Sequence, residues 1–149
     1  MPEIAYRGMT FIGAMRFVDT NVLLYAVSSR ADEAPKAERA RTLLNQADLA
    51  VSVQVLQEFY VQATRPGAKS PIAHDAAVSF IRTLERFPLQ EQTTSLMHSA
   101  FTTRVRYGIS YWDAAIVEAA RMLGCQQILT EDLQHGQDLG GIRILNPFV

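Results

Sequence analysis

Cysteine is all but absent from this chain: Cys125 stands alone among 149 residues. One thiol excludes an internal disulfide framework and a cysteine-rich zinc site, and it fits a reducing compartment. Long apolar runs are absent as well. The stretch from Phe17 to Val27 is broken by Asp19 and Asn21, and nothing approaches the ~18–20 apolar residues of a membrane span. The first fifteen residues carry Glu3, Arg7 and a short apolar patch, too little for a secretory signal. Charge of one sign is also lacking: 14 basic against 15 acidic residues leave −1, which by itself gives no pointer to nucleic acid. Repeats, low-complexity tracts and domain-separating linkers are not found. What is present is 48% apolar residues, enough for a core in one domain of this length. These features together predict a soluble cytoplasmic domain with no membrane contact.

Lysine is scarce. Only Lys36 and Lys69 are lysine, and the other 12 basic residues are arginine. The arginine fork suits bidentate phosphate contact and stacks on bases. With four acids occupied by metal the remaining charge would be +3, so the acidic total is compatible with a polyanionic substrate.

Strand-like and helical runs alternate. Arg16–Asp19 reads as a strand, followed by Thr20 and Asn21 as turn and cap residues. Pro35 suits the first position of a helix whose stripe is Ala37, Ala40, Leu44 and Ala47. Leu49–Ser52 reads as a strand, and Gln54–Thr64 as a helix stopped by Pro66-Gly67. Ser70-Pro71 opens another helix with Ala73, Ala77, Phe80 and Leu84 inward. A short run around Leu89 precedes a helix over Ser95–Tyr107 that ends at Gly108. Ser110 begins a helix with the stripe Trp112, Ile116, Ala119 and Leu123, closed by Gly124. Gln127–Thr130 and Ile142–Leu145 are the last strand candidates. The alternation predicts an α/β fold with a central parallel sheet flanked by helices.

Function in such sheets collects at the carboxyl ends of strands. Asp19 ends the first strand, Asp132 lies past the strand through Thr130, Asp113 sits in the first turn after Ser110, and Glu58 is one turn into its helix. Four carboxylates at one sheet edge raise one another's pKa unless a cation neutralises them. Mg²⁺ or Mn²⁺ are the natural fillers, and such a site can cleave phosphodiesters. Each acid also has a plainer explanation. Ser110-x-x-Asp113 is a capping-box pattern; Glu58 shares a face with Gln54 and Gln62 that solvation explains; Asp19 can be a turn acid; Asp132 can favour a helix start beside Glu131. Taken singly, the plain reading wins in every case, and only the joint placement tips the balance.

The strings around the acids go further. Phe17-Val18-Asp19-Thr20-Asn21-Val22-Leu23 resembles the opening motif of the PIN-domain ribonucleases, most closely the VapC-type toxins of toxin–antitoxin pairs. Ser52-Val53-Gln54-Val55-Leu56-Gln57-Glu58-Phe59 is similar to the second segment, Tyr111-Trp112-Asp113-Ala114-Ala115-Ile116 to the third, and Ile128-Leu129-Thr130-Glu131-Asp132-Leu133 to the fourth. Asn146-Pro147-Phe148 resembles the usual close. The resemblance implies a compact three-layer fold and a Mg²⁺- or Mn²⁺-dependent endoribonuclease. Asp19 and Asp113 would be the central metal ligands, Glu58 and Asp132 would complete the acidic cluster, and Asn21 and Thr130 would orient it. It further implies a homodimer silenced by a cognate antitoxin whose tail enters the acidic groove. The chain departs from the pattern in the fourteen residues before Met15. The expected division is therefore an extension over 1–14 and a PIN-like nuclease domain over 15–149, with Met15 as a start that keeps fold and activity.

His74, His98 and His135 are too scattered for a metal site and read as solvated or capping. Cys125 reads as a buried structural thiol. Tyr107, Tyr111 and Trp112 suit stacking on RNA bases, although Trp112 opens an apolar stripe and core packing is the safer assignment. Arg65, Arg104 and Arg106 suit phosphates or a solvated face equally. A receiver domain would need a lysine at the end of a late strand, and neither lysine stands there. An aspartate-nucleophile phosphatase would need an acid where Asn21 stands. The remaining alternative is a catalytically silent PIN-like module that binds RNA or protein.

Overall fold

The computed structural model describes residues 15–149; the stretch 1–14, expected as an extension, lies outside the described residues. Five strands form one sheet: β1 (Arg16–Val18), β2 (Leu49–Ser52), β3 (Leu89–Gln90), β4 (Gln127–Leu129) and β5 (Arg143–Leu145). Their order is β3-β2-β1-β4-β5 and every pairing is parallel. Strands covered on both faces are apolar almost throughout: Phe17, Val18, Leu49, Ala50, Val51, Ile128, Leu129 and Ile144 are all buried. Among the described residues six α-helices flank the sheet: α1 (Thr20–Ala26), α2 (Ala34–Leu44), α3 (Val53–Thr64), α4 (His74–Leu84), α5 (Thr94–Tyr107) and α6 (Tyr111–Met122).

The α/β reading holds, with three local corrections. Thr20 and Asn21 do not end in a turn; they begin α1, whose N-cap is Asp19. Seven residues with an interior Val22 give weak helical periodicity, and burial of Thr20, Val22, Leu23 and Ala26 supplies what propensity does not. Ser70-Pro71 does not open α4, which starts at His74 with exposed Ala73 as its N-cap. The segment is instead tied to its surroundings: Ser70 Oγ accepts from the Ser29 amide at 2.9 Å, and the Ile72 amide donates to the Ala63 carbonyl at 3.0 Å. Helix α2 stops at Leu44, leaving Ala47 outside it and exposed. The short run at Leu89 forms the edge strand β3, beside β2.

Helix ends are specified by the expected chemistry. Ser52, Thr93 and Ser110 cap α3, α5 and α6 through their hydroxyls. Gly108 ends α5 at φ 66°, a left-handed conformation that glycine adopts without a Cβ penalty. One buried acid serves structure alone. Glu118 on α6 accepts from the Thr103 hydroxyl at 2.7 Å and from Arg121, whose guanidinium also reaches the Leu139 and Gly140 carbonyls.

The sheet order fixes where a site can form. From central β1 the chain moves outward to β2 and β3, then returns to the opposite side for β4 and β5. The crevice of a parallel sheet opens at the carboxyl end of such a reversal, here between β1 and β4.

Candidate functional site

Asp19 leaves β1 at that crevice. Its amide donates to the Leu129 carbonyl at 3.1 Å, seating it against β4. Oδ1 accepts from the Thr20 amide at 2.7 Å and Oδ2 from the Thr130 hydroxyl at 2.9 Å. Only 4% of the residue is exposed. Burial pushes its carboxyl up to about 7, partly opposed by the bonds from Thr20 and Thr130 and reinforced by the charges of Asp132 and Glu58.

The other three acids arrive from separate elements. Glu58, on α3, accepts from the Thr20 hydroxyl at 2.9 Å and from Gln54 Nε2 at 3.2 Å. Asp113 sits in the first turn of α6, its amide donating to Ser110 Oγ at 3.0 Å. Burial raises its pKa and the Asp132 charge adds to this, against the lowering bond with Ser110. Asp132 follows β4 in a bend rather than at a helix start, and its carboxylate accepts from Asn21 Nδ2 at 3.1 Å. Asp19, Glu58, Asp113 and Asp132 line one cavity of about 320 Å³ with Thr20, Asn21 and Gln62.

Thr130 does not line that cavity; it is fully buried behind it. Its hydroxyl donates to Asp19 and accepts from Asn21 Nδ2 at 2.8 Å and from the Asp132 amide at 3.0 Å. Asn21 completes the tie by accepting from the Glu131 amide at 3.3 Å. Glu131 itself pairs with Lys36 at 2.9 Å and takes a hydrogen bond from Tyr25.

Two residues depart from the sequence reading. Gln54 is buried, not solvated, and bridges Glu58 and the Trp112 carbonyl, each at 3.2 Å. Its Oε1 has no partner among the described residues. Trp112 is not in the core: 61% of it is exposed, on the rim of the acidic cavity. At the start of α6 only the following residues turn inward, and Ile116 and Ala119 fill the core without it. Thr20 and Gln54 are the site residues that sequence reasoning missed. The signal for Gln54 was its i,i+4 spacing to Glu58, which makes the two neighbours on one helix face.

An oxygen-only donor set suits a hard divalent cation. Among the described residues no three His, Cys, Asp or Glu side chains draw together into a ready-made metal cage. Mg²⁺ does not need one, since it keeps most of its waters and takes one or two carboxylates.

Residues 16–137 match the PIN domain family. No curated protein sequence matches the chain significantly. Solved structures do. The Mycobacterium tuberculosis VapC20, a sarcin–ricin loop cleaving toxin, is 24% identical with a TM-score of 0.61, over 78% of this chain and 91% of that one. A toxin–antitoxin complex from Klebsiella pneumoniae is 19% identical at TM-score 0.64, over 89% of this chain and 97% of its own. DNA-bound VapBC from Salmonella typhimurium is 20% identical at TM-score 0.61, with the same coverage of 89% and 97%. At these identities the likeness is one of fold.

Proposed function

The chain belongs to the PIN-domain family, and on that premise we propose that it is a divalent-metal-dependent endoribonuclease, the toxin of a toxin–antitoxin pair. One observation carries the reading: four carboxylates from four separate segments line a single cavity at the reversal point of the sheet. Packed like charges cost stability unless a cation neutralises them, and groups held at such a cost collect at functional sites. Asp19 and Asp113, with Glu58 and Asp132, would hold Mg²⁺ or Mn²⁺. A bound ion supplies Lewis acidity toward the phosphodiester and neutralises the acids. The protein's own part is orientation. Thr130 and Asn21 fix Asp19 and Asp132 relative to each other, while Thr20 and Gln54 hold both oxygens of Glu58.

The partner proposals rest on the company this fold keeps. Structures similar to this chain are toxin–antitoxin assemblies, which supports a cognate antitoxin. A homodimer is supported by exposed apolar side chains on α5, Phe101 at 47% and Val105 at 77%. Among the described residues no helix is long and apolar enough to cross a membrane. A cytoplasmic location is part of the proposal, since the proposed substrate is RNA. The loosely spaced acids favour a second reading, the catalytically silent binding module.

Cleavage of a mixed RNA pool separates the two. Activity should vanish in chelator, return with Mg²⁺ or Mn²⁺, and be lost in Asp113→Asn. Cleavage that persists in chelator overturns the metal-dependent reading, and absence of cleavage under every metal leaves the silent module. Induction of the chain alone should arrest growth, and co-expression of a small neighbouring-gene product should relieve it.

A further inference from the structure

The acidic cavity poses a problem for its own substrate. Four carboxylates repel a polyanion until a cation neutralises them, and contacts that carry no charge add affinity beside them whether or not the cation is bound. Stacking of a base on an aromatic ring is such a contact, and it is indifferent to base identity because every base has a π face.

Trp112 is a wall shared by the acidic cavity and a neighbouring one of about 270 Å³. Its ring is exposed, but its backbone is anchored, since the Trp112 carbonyl accepts from Gln54. Tyr111 packs against it edge to face, with ring centroids 5.0 Å apart. Beside the aromatic rings the second cavity mixes polar and apolar groups: Gln92, Thr93 and Thr94 line it together with Leu96 and Met97. Gln92 Oε1 accepts from the Gln54 amide at 3.3 Å, while its NH₂ has no protein partner among the described residues. Aromatic rings sharing a cavity with amide and hydroxyl groups offer partners for the two surfaces of a nucleobase, a π face and a hydrogen-bonding edge. The rings continue through Tyr111, 5.6 Å from Phe101, into the exposed apolar residues of α5, so a second copy of the chain is the competing occupant; the polar groups of Gln92, Thr93 and Thr94 favour a base.

We propose that the cavity beside the acidic one is a nucleobase subsite, in which Trp112 stacks an unpaired base of single-stranded RNA next to the phosphodiester held by the acids. The proposal rests on the nuclease reading and deepens it. Trp112 is the only tryptophan in the chain, so its emission reports on the subsite directly.

The full-length Asp19→Asn protein, titrated in Mg²⁺ with a short mixed-sequence single-stranded RNA, should lose tryptophan fluorescence. An abasic strand of the same length should bind without comparable quenching. In the otherwise native chain, Trp112→Ala should raise KM about 5- to 150-fold with kcat nearly unchanged, the signature of lost substrate binding. Trp112→Phe should recover most of the loss. Both variants should melt with wild type, because the ring is outside the core. Equal quenching by base-bearing and abasic strands, or an unchanged KM in Trp112→Ala while wild type cleaves RNA, overturns the subsite and leaves the nuclease reading standing. A Trp112→Ala chain that turns monomeric, with its KM defect relieved at high protein concentration, overturns it in favour of a face between copies. Wild type that neither binds nor cleaves RNA overturns both.

Discussion

The Thr130 hydroxyl makes three hydrogen bonds, and all of them end on groups that set the geometry of the acids. Thr130→Val keeps the shape and removes every one, leaving buried polar groups of Asp19 and Asn21 short of a partner. The expected loss is about 1–3 kcal/mol, read by urea denaturation, together with reduced RNA cleavage; Thr130→Ser should restore most of both. Asp19 makes a separate prediction. Its folded-state carboxyl titrates near 7 against an ordinary 3.8, so the native state holds this proton longer than the unfolded chain does. Its contribution to stability is complete below about pH 4 and is lost as pH rises toward 7, with a slope of at most roughly 1.4 kcal/mol per pH unit. Denaturant unfolding in chelator across that range should show the decline, and Asp19→Asn should flatten it.

Helix α6 combines two uses of one residue. Asp113 sits behind a Ser110 cap and also lines the acidic cavity. If capping dominates, Asp113→Asn lowers metal-free stability by up to ~1 kcal/mol. If repulsion within the cluster dominates, the metal-free variant melts higher than wild type, and Mg²⁺ raises wild type more than the variant because ligand binding stabilises the folded state. The second outcome is expected here, since burial above all, with a smaller contribution from the Asp132 charge, disfavours the ionised Asp113 despite the Ser110 bond. Four melting curves, two proteins with and without Mg²⁺, decide it. Elements also show what was readable beforehand. The strands announced themselves through apolar runs, and most of the long helices through their stripes, with Ser110 starting α6 and Gly108 ending α5. Helix α1 did not, because seven residues around Val22 owe their helicity to tertiary burial. Ser70-Pro71 looked like a helix start because Pro suits one, yet Ser70 is engaged across the surface with Ser29. The four acids were visible as motif positions. The exposure of Trp112 and the burial of Gln54 were not, since helical spacing gives a face but not what that face meets.

At the scale of the molecule the interior is continuous, and Cys125 is part of it, 3% exposed in the core cluster. Burial pushes its thiol up to about 12, so at neutral pH the thiolate needed for reaction is scarce. A thiol reagent should leave the native protein unlabelled and react only on unfolding, at a rate that tracks denaturant concentration. The sheet order has a consequence of another kind. Because β1 lies between β2 and β4, the crevice that holds the acids has one wall made early in synthesis and the other made late. Asp19 and Glu58 emerge from the ribosome long before Asp132, and until β4 seats beside β1 there is no cavity for them to share. On the nuclease reading, the site stays incomplete until Asp132 and β4 have been made and seated, so cleavage becomes possible only once most of the chain has left the ribosome.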